Sequence, residues 1–261
     1  FCHINVSGTG MSDLGELTIM PATGKLMTGA GTQNNHMAGY SSLYYKDKEH
    51  ASVGYYKVHL ERYDIDVELT ATERVGLHKY RFPKSDQSRV IIDLGEGSAD
   101  RPTETYLKKI NDTLFQGHRF SSGWARDQRE YFSLIISKPV DDFILYDRHK
   151  KFKGEERKGD YVKGFLEFST KANEDIMVKM GISTVSSKNA LENMMIELPH
   201  WDFSKVKKDA EKKWEKELSK IKIKTDDIKK KRVFYTAMYH TMIAPNLYHD
   251  LNGEYRGTDK I

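Results

Sequence analysis

Short runs of alternating apolar and polar side chains dominate the first 186 residues, and this pattern constrains the fold more than any other feature. Between residues 56 and 60 the apolar side chains fall on every second position, and the same holds between residues 65 and 69. Successive side chains of a β-strand point to opposite faces, so each run predicts a strand with one buried and one solvated face. The short break between the two runs predicts a hairpin.

Further short apolar runs follow the hairpin, and no helical periodicity separates them. Together with one run before the hairpin, they predict strands at residues 14–20, 90–94, 131–136, 143–146, 161–168 and 176–182. A polar segment with several glycines, 22–39, predicts a long loop after the first strand. Many short strands without helices between them are typical of an antiparallel β-sandwich. The predicted fold class is therefore mostly β, with helices confined to the C-terminal part.

The pattern changes after residue 186, where apolar side chains recur at helical spacing. Val206, Ala210 and Trp214 form one stripe on a rod that is rich in lysine and glutamate. Short polar side chains precede three such segments, and they can accept hydrogen bonds from the free N–H groups of a first helical turn. The predicted caps are Ser187, Asp202 and Thr225.

These patterns divide the chain into three predicted regions. Residues 1–186 form a β-sandwich, residues 187–224 form a helical linker, and residues 225–261 begin a second domain. Trp201 stands at the start of a linker helix and is predicted to pack the linker on the sandwich. Trp214 lies on the apolar stripe and is predicted to be a core residue. The chain starts at Phe1 without a methionine, inside strand-like sequence, so we expect a fragment whose sandwich is truncated at its start.

Composition excludes several classes of function. The chain of 261 residues has 42 basic and 38 acidic side chains, a net charge of +4, which argues against a nucleic-acid partner. The basic run 229–232 is interpreted as the solvated flank of a helix. No apolar run approaches the ~18 residues that a membrane-spanning helix needs. Cys2 is the single cysteine, which excludes an internal disulfide and a cysteine zinc site.

The sequence contains no motif for a complete catalytic centre. The ten histidines form no metal-binding signature, and neither a GxSxG nucleophile elbow nor a phosphate-binding loop is present. Pairs of adjacent carboxylates occur at 141–142, 155–156 and 226–227. Neighbouring residues on a strand point to opposite faces, and the last pair belongs to a helix start, so none of these pairs predicts an acid–base dyad.

The stretch from Phe234 to Asp259 carries the strongest candidate for ligand binding. It begins with helical periodicity, which Pro245 ends because the preceding residue is pushed out of the helical conformation. A polar loop follows and closes with Arg256, Gly257 and Asp259. The guanidinium donates, the carboxylate accepts and the glycine permits close approach, which suits a ligand with many hydroxyls. The alternative interpretation is a surface turn with a local salt bridge.

Two other segments offer contacts to such a ligand. The glycine-rich segment Ser7–Gly10 lets the backbone come close to a ligand, although a simple β-turn also explains it. Trp124 offers an aromatic plane for the C–H groups of a sugar, and the alternative is a core tryptophan at a strand entrance.

Five segments along the chain carry a resemblance to a known enzyme family. They are Ser7–Gly15 with Met20 and Pro21; Glu68–Thr72 with Gly76, His78, Tyr80, Phe82 and Pro83; Ser122–Ala125 with Asp127, Gln128, Tyr131 and Phe132; Gly181–Ser183 with Val185, Ser186, Asn189, Ala190, Asn193 and Trp201–Phe203; and Phe234–Asp259. In this order they resemble family 92 of the glycoside hydrolases, the calcium-dependent exo-acting α-mannosidases. The resemblance runs from one end of the chain to the other.

The resemblance implies a catalytic (α/α)6 toroid, of which only the first helix and loop belong to this chain. It assigns Arg256 and Asp259 to the pocket for the terminal mannose, and Gly10 and Met11 to an edge that the sandwich contributes. Met11 is larger than the residue of many relatives. The catalytic acid and base and most calcium ligands are implied to lie beyond residue 261, so this chain alone is expected to be inactive and to need the remainder of its catalytic domain.

The resulting hypothesis is an inverting, calcium-dependent glycoside hydrolase that releases terminal α-linked mannose, with α-1,2 linkage, from a glycan. The resemblance implies a secreted, periplasmic or cell-surface protein, and the sequence shows no signal peptide of its own. One alternative is a non-catalytic carbohydrate-binding sandwich. Another is a structural sandwich that docks a partner on predicted helices 203–220 and 226–244.

Overall fold

A computed structural model of the chain describes residues 1–3, 17–32, 34–96, 100–123, 125–244 and 246–257. Two antiparallel sheets make up the described part up to residue 183. In chain order the strands are β1 Thr18–Thr23, β2 Glu49–Ser52, β3 Tyr55–Leu60, β4 Ile65–Ala71, β5 Val75–Phe82, β6 Ser85–Asp93, β7 Arg101–Lys109, β8 Leu114–Ser122, β9 Gln128–Ile136, β10 Asp142–Asp147, β11 Lys150–Phe152, β12 Glu156–Gly159, β13 Val162–Thr170 and β14 Glu174–Ser183. Single 3₁₀ turns occur at His36–Ala38 and Lys46–Lys48.

The smaller sheet has five strands in the order β1-β6-β13-β10-β11, and the larger has nine in the order β12-β7-β8-β9-β14-β5-β4-β3-β2. The main core lies between them and takes Ile91 and Phe165 from the small sheet and Phe115 and Phe132 from the large one. All four are almost completely buried, and burial of such side chains stabilises the fold by about 1.5–3 kcal/mol each. The predicted antiparallel sandwich is therefore confirmed.

The predicted hairpin is present as β3 and β4, with Val58 paired opposite Val67 and both side chains buried. The first predicted strand is shifted: β1 begins at Thr18, and residues 14–16 lie outside the described part of the chain. The hairpin of β7 and β8 was not predicted. Its outward positions carry Tyr106 and Phe120, so apolar residues stand on both faces and the alternation is lost.

Three helices follow the sandwich: α1 Ser187–Glu197, α2 Phe203–Leu218 and α3 Ile228–Thr241. Asp202 caps α2 as predicted, with its carboxylate accepting from the Lys205 N–H. The other two predicted caps are wrong by one and two residues. Ser186 caps α1 because its extended backbone aims the hydroxyl at the Asn189 N–H, and the Asp227 carboxylate caps α3 by accepting from the Lys230 N–H. Ser187 already lies inside its helix, and Thr225 instead accepts from the Asp227 N–H.

Helix α1 and the first turn of α2 cover the outer face of the nine-stranded sheet. Odd-numbered residues of β5 point to this face, and Val75 and Leu77 form a second apolar cluster with Met194 and Phe203. Trp201 packs against the same cluster, and the Lys179 ammonium lies 4.2 Å from the centre of its ring. The linker thus packs on the sandwich at Trp201, in agreement with the prediction.

Helix α3 lies outside both clusters. None of its residues is buried, and Ile228 and Val233 are 74% and 68% exposed. It meets α2 where the Tyr239 ring lies 4.7 Å from that of Trp214, so Trp214 is half-buried between two helices rather than in a core, which corrects the prediction. No helix in the described part of the chain combines the length and apolar character that crossing a membrane requires. The division into 1–186, 187–224 and 225–261 stays a prediction.

Candidate functional site

The polar loop 246–257 is fixed to the sandwich by the buried side chain of Asp250, which is 3% exposed. Its carboxylate accepts three hydrogen bonds: from Ser183 Oγ at 2.6 Å, from Asn189 Nδ2 at 2.9 Å and from Asn193 Nδ2 at 2.7 Å. We call this group, Asp250 with Ser183, Asn189 and Asn193, the buried anchor. These three donors are neutral, so the carboxylate is held by hydrogen bonds and not by ion pairing with them.

The positions of the donors follow from the local structure. Ser183 is the last residue of β14, and its hydroxyl also accepts from the Val185 N–H at the turn into α1. Asn189 and Asn193 are four residues apart, which places their side chains on the same face of α1. The Asn193 carbonyl oxygen accepts in return from the Leu251 N–H at 3.0 Å, so the anchor also fixes the main chain of the loop.

The β4–β5 turn makes a second contact with the same loop. Arg74 Nε donates to the His249 carbonyl at 2.9 Å, and its Nη1 lies 2.7 Å from Glu197 Oε1 at the end of α1. Farther along the loop, Asn189 Nδ2 donates to the Glu254 carboxylate. This hydrogen bond and, to a smaller extent, one with Asn252 of the same loop hold the pKa of the Glu254 carboxyl below its usual value. The sandwich, through Arg74, and helix α1, through Asn189, therefore both bind the loop.

Arg256 joins the end of this loop to the sandwich. Its Nη2 lies 2.7 Å from Asp127 Oδ2, and its Nη1 donates to the Asp127 main-chain carbonyl at 3.1 Å. Asp127 belongs to the segment between β8 and β9, and its Oδ1 accepts from Arg129 Nε at 3.2 Å. The hydrogen bonds from the two arginines hold the pKa of the Asp127 carboxyl below its ordinary value of 3.8. We call the contact between Arg256 and Asp127 the exposed clasp.

Of the predicted site residues, the structure describes only Arg256. Gly10, Met11, Trp124 and Asp259 lie outside the described residues, so their part in a common pocket stays a prediction. Arg256 is 14% exposed at its side chain and contacts the segment that follows Trp124 in the sequence. Among the described residues its partner is Asp127, 129 positions away in the sequence, and a local salt bridge to Asp259 stays untested because Asp259 lies outside them.

No role was predicted for the four residues of the buried anchor, although all of them lie in segments that carry the family resemblance. One signal was available: two asparagines four residues apart on a helix that must bury a face require buried partners. The described residues contain no group of three or more His, Cys, Asp or Glu side chains that could hold a metal ion. The calcium expectation stays a prediction.

A cavity of about 520 Å³ lies between the ends of β3–β5, residues 2–3 and helices α2 and α3. His3 and His78 line it, with their rings stacked at a centroid distance of 4.7 Å. Burial lowers the pKa of His3 to about 4 and that of His78 well below its ordinary value, so both rings are neutral at pH 7. Arg74 lines the same cavity and binds His249, which places the cavity beside the anchored loop.

Comparisons with known proteins identify the family and the fold. The sequence model described as "Glycosyl hydrolase family 92 N-terminal domain" matches residues 1–183, and that of the "Glycosyl hydrolase family 92 catalytic domain" matches residues 189–261. The family GH92 α-mannosidase BT3965 of Bacteroides thetaiotaomicron, solved in complex with mannoimidazole, is 33% identical with a TM-score of 0.94. That alignment covers 98% of this chain and 34% of the mannosidase.

Two more distant relatives complete the comparison. The inverting mannosidase BT2199 of the same organism is 22% identical with a TM-score of 0.78, over 92% of this chain and 32% of its own, and supports the fold alone. An uncharacterized secreted glycosidase of Arthroderma benhamiae is 25% identical over 237 residues, which are 78% of this chain and 30% of that protein. The chain therefore spans about a third of the length of these relatives.

Proposed function

The chain belongs to glycoside hydrolase family 92, and from that premise we propose that it is the N-terminal part of an exo-α-mannosidase. The enzyme releases terminal mannose, with α-1,2 linkage, from a glycan and inverts the anomeric configuration. The observation that carries the proposal is the exposed clasp, which joins the loop ending in Tyr255, Arg256 and Gly257 to the sandwich. Support also comes from a relative of 33% identity that is named an α-mannosidase and was solved with mannoimidazole.

In this proposal the chain binds and orients the terminal sugar. A mannose ring presents hydroxyls on all sides, and Arg256 can donate to them while the carboxylate of Asp259 accepts from them. Gly10 and Met11 form the opposite edge, and Trp124 offers an aromatic plane to the C–H face of the sugar. The clasp supports this role because it ties together the two segments that carry Trp124 and Asp259 in the sequence.

The acid and the base belong, in the same proposal, to the part of the catalytic domain that follows residue 261. Inversion needs one carboxyl group that protonates the leaving oxygen and another that activates a water on the opposite face of the sugar. Calcium, which suits a site of oxygen ligands, is proposed as the cofactor, with its ligands mostly supplied by that same remaining part. We further propose a secreted, periplasmic or cell-surface location, on the strength of the secreted relative.

The test compares the chain of residues 1–261 with the same chain extended through a complete family 92 catalytic domain. We expect the extended protein to release mannose from α-1,2-mannobiose and the shorter chain to release none, because the acid and base are missing from it. Mannose release by the shorter chain would refute the assignment of the carboxylates. An extended protein that is inactive on every α-mannoside would refute the function itself.

Calorimetry with mannobiose separates this function from a carbohydrate-binding module. We expect no measurable affinity in the shorter chain, because half of a shared pocket makes too few contacts to hold the sugar. Appreciable affinity would favour the module, in which the sandwich binds the glycan without help.

A further inference from the structure

We propose that Asp127 is a positioning residue, which holds the guanidinium of Arg256 in the orientation that meets the hydroxyls of the bound sugar. The inference rests on the proposed function, since it assigns a role within the same site.

The clasp fixes the plane of the Arg256 guanidinium as well as its distance from Asp127. Asp127 engages two different nitrogens of Arg256, Nη2 through its carboxylate and Nη1 through its main-chain carbonyl. A guanidinium is flat and rigid, so two contacts at separate nitrogens fix both its position and its tilt. These contacts use two of its five N–H groups.

Asp127 is itself held by the rigid part of the sandwich. Arg129 Nε donates to Asp127 Oδ1, and the guanidinium of Arg129 lies 4.9 Å from the centre of the Phe120 ring. Phe120 in turn stacks on His118 at 4.2 Å, and His118 lies 2.9 Å from the carboxylate of Glu104. Strands β7, β8 and β9 thus connect to the Asp127 carboxylate through this series of contacts.

The clasp contributes little to keeping the loop on the sandwich. The side chain of Asp127 is 35% exposed, and an ion pair in contact with water stabilises a protein by about 0–1 kcal/mol. The buried anchor at Asp250 holds the same loop through three hydrogen bonds of its own. Asp127→Ala removes the side-chain contacts to Arg256 Nη2 and Arg129 and keeps the main-chain contact to Arg256 Nη1. We therefore expect the loop to stay in place while the Arg256 guanidinium loses its fixed tilt, which separates a role in orientation from a role in stability.

The experiment uses the extended enzyme and measures kcat and KM on an α-mannoside. We expect Asp127→Ala to raise KM by about 5–10-fold with a smaller change in kcat, because it weakens binding in ground and transition states alike. Both variants keep the main-chain carbonyl, and Asp127→Asn also keeps one side-chain acceptor, so its KM should fall between those of the wild type and Asp127→Ala.

A double-mutant cycle shows whether Asp127 acts through Arg256. In an Arg256→Ala background, Asp127→Ala should change KM no further, since the group that it positions is gone. The matched control is Asp175→Ala, which removes another exposed carboxylate that binds an arginine at two nitrogens, Arg81 Nε and Nη2. The control should leave KM unchanged.

The outcomes separate the inference from the function on which it rests. An active wild type whose KM is unaffected by Asp127→Ala overturns the inference alone, and so does an effect that persists in full without Arg256. A fall in the melting temperature by more than that of Asp175→Ala would show a structural role and overturn it as well. A wild-type enzyme without activity on any α-mannoside overturns both.

Discussion

The loop 246–257 is attached to the sandwich at two places that differ in their relation to water. At the buried anchor, the Asp250 carboxylate is almost without access to solvent and binds three side-chain donors. At the exposed clasp, Asp127 and Arg256 meet at 2.7 Å with solvent on one side. The same chemical group, a carboxylate, therefore serves two purposes. The first is sealed from solvent and fixes where the loop lies, and the second stays in contact with solvent.

Water explains the difference. A buried carboxylate that loses a donor cannot replace it with solvent, so the hydrogen bonds of Asp250 must be kept or the loop must open. An exposed carboxylate exchanges a protein donor for water at little cost in free energy. We therefore expect substitutions at the anchor to change stability and substitutions at the clasp to change binding.

The largest expected effect is that of Asp250→Ala. It leaves the hydroxyl of Ser183 and the amides of Asn189 and Asn193 without their common acceptor, which should destabilise the closed loop by about 1–3 kcal/mol for each donor. Hydrogen exchange followed by mass spectrometry should show faster exchange throughout 246–257, while the strands stay protected. Asp226→Ala, in an exposed helix start, serves as the control, and equal exchange in both variants would contradict the role of the anchor.

A smaller effect is expected from acid at a second buried polar group, the stacked pair of His3 and His78. Burial lowers the pKa of His3 to about 4, so the unfolded chain, with an ordinary value of 6.5, takes up its proton first. The contribution of neutral His3 to the free energy of unfolding is complete above pH 6.5. It falls by about 3 kcal/mol as the pH drops towards 4. Urea unfolding from pH 7 to 4 measures this loss.

The variant His3→Gln should flatten that pH dependence, and His50→Gln, at an exposed position of β2, should not. A profile of unchanged slope in His3→Gln would show that other groups cause the loss. Such a result would restrict the contrast between buried and exposed polar groups to the loop.

The smallest expected effect on stability is that of Asp127→Ala, below about 1 kcal/mol at pH 7 because the ion pair is exposed. Arg256 and Arg129 lower the pKa of Asp127, so its contribution is complete above the ordinary value of 3.8 and is lost only as the pH falls through the lower folded value. Melting temperatures at pH 7 should therefore be nearly equal in wild type and variant. A large difference in melting temperature would contradict the distinction between an anchor that stabilises the loop and a clasp that does not.

Local sequence patterns predicted the elements whose side chains repeat with one period. The β3–β4 hairpin and the three helices have such periods, and they were found with small errors at their ends. The β7–β8 hairpin was not predicted, because Tyr106, His118 and Phe120 place aromatic rings on the outward face, where an alternating strand carries polar residues. The caps of α1 and α3 were misplaced because several adjacent Ser, Thr or Asp side chains could have served.

The candidate site was less accessible to such reasoning. Arg256 was recognised from its chemistry and from the resemblance, yet its partner Asp127 lies 129 positions away in the chain. Asp250 and its donors are separated by 57 to 67 residues, and no local period connects them. Contacts of this kind follow from the topology of the sheet, which places the end of β14 beside α1 and the returning loop.

Because α3 has no buried residue, we expect it to become stable later than the sandwich as the protein folds. An isolated helix of 14 residues is marginal in water, and α3 receives little cover from α2. The sandwich has its own core and can close as soon as it leaves the ribosome, as N-terminal domains generally do. We expect α3 to remain coil-like at that stage, because none of its residues is buried in the described part of the chain.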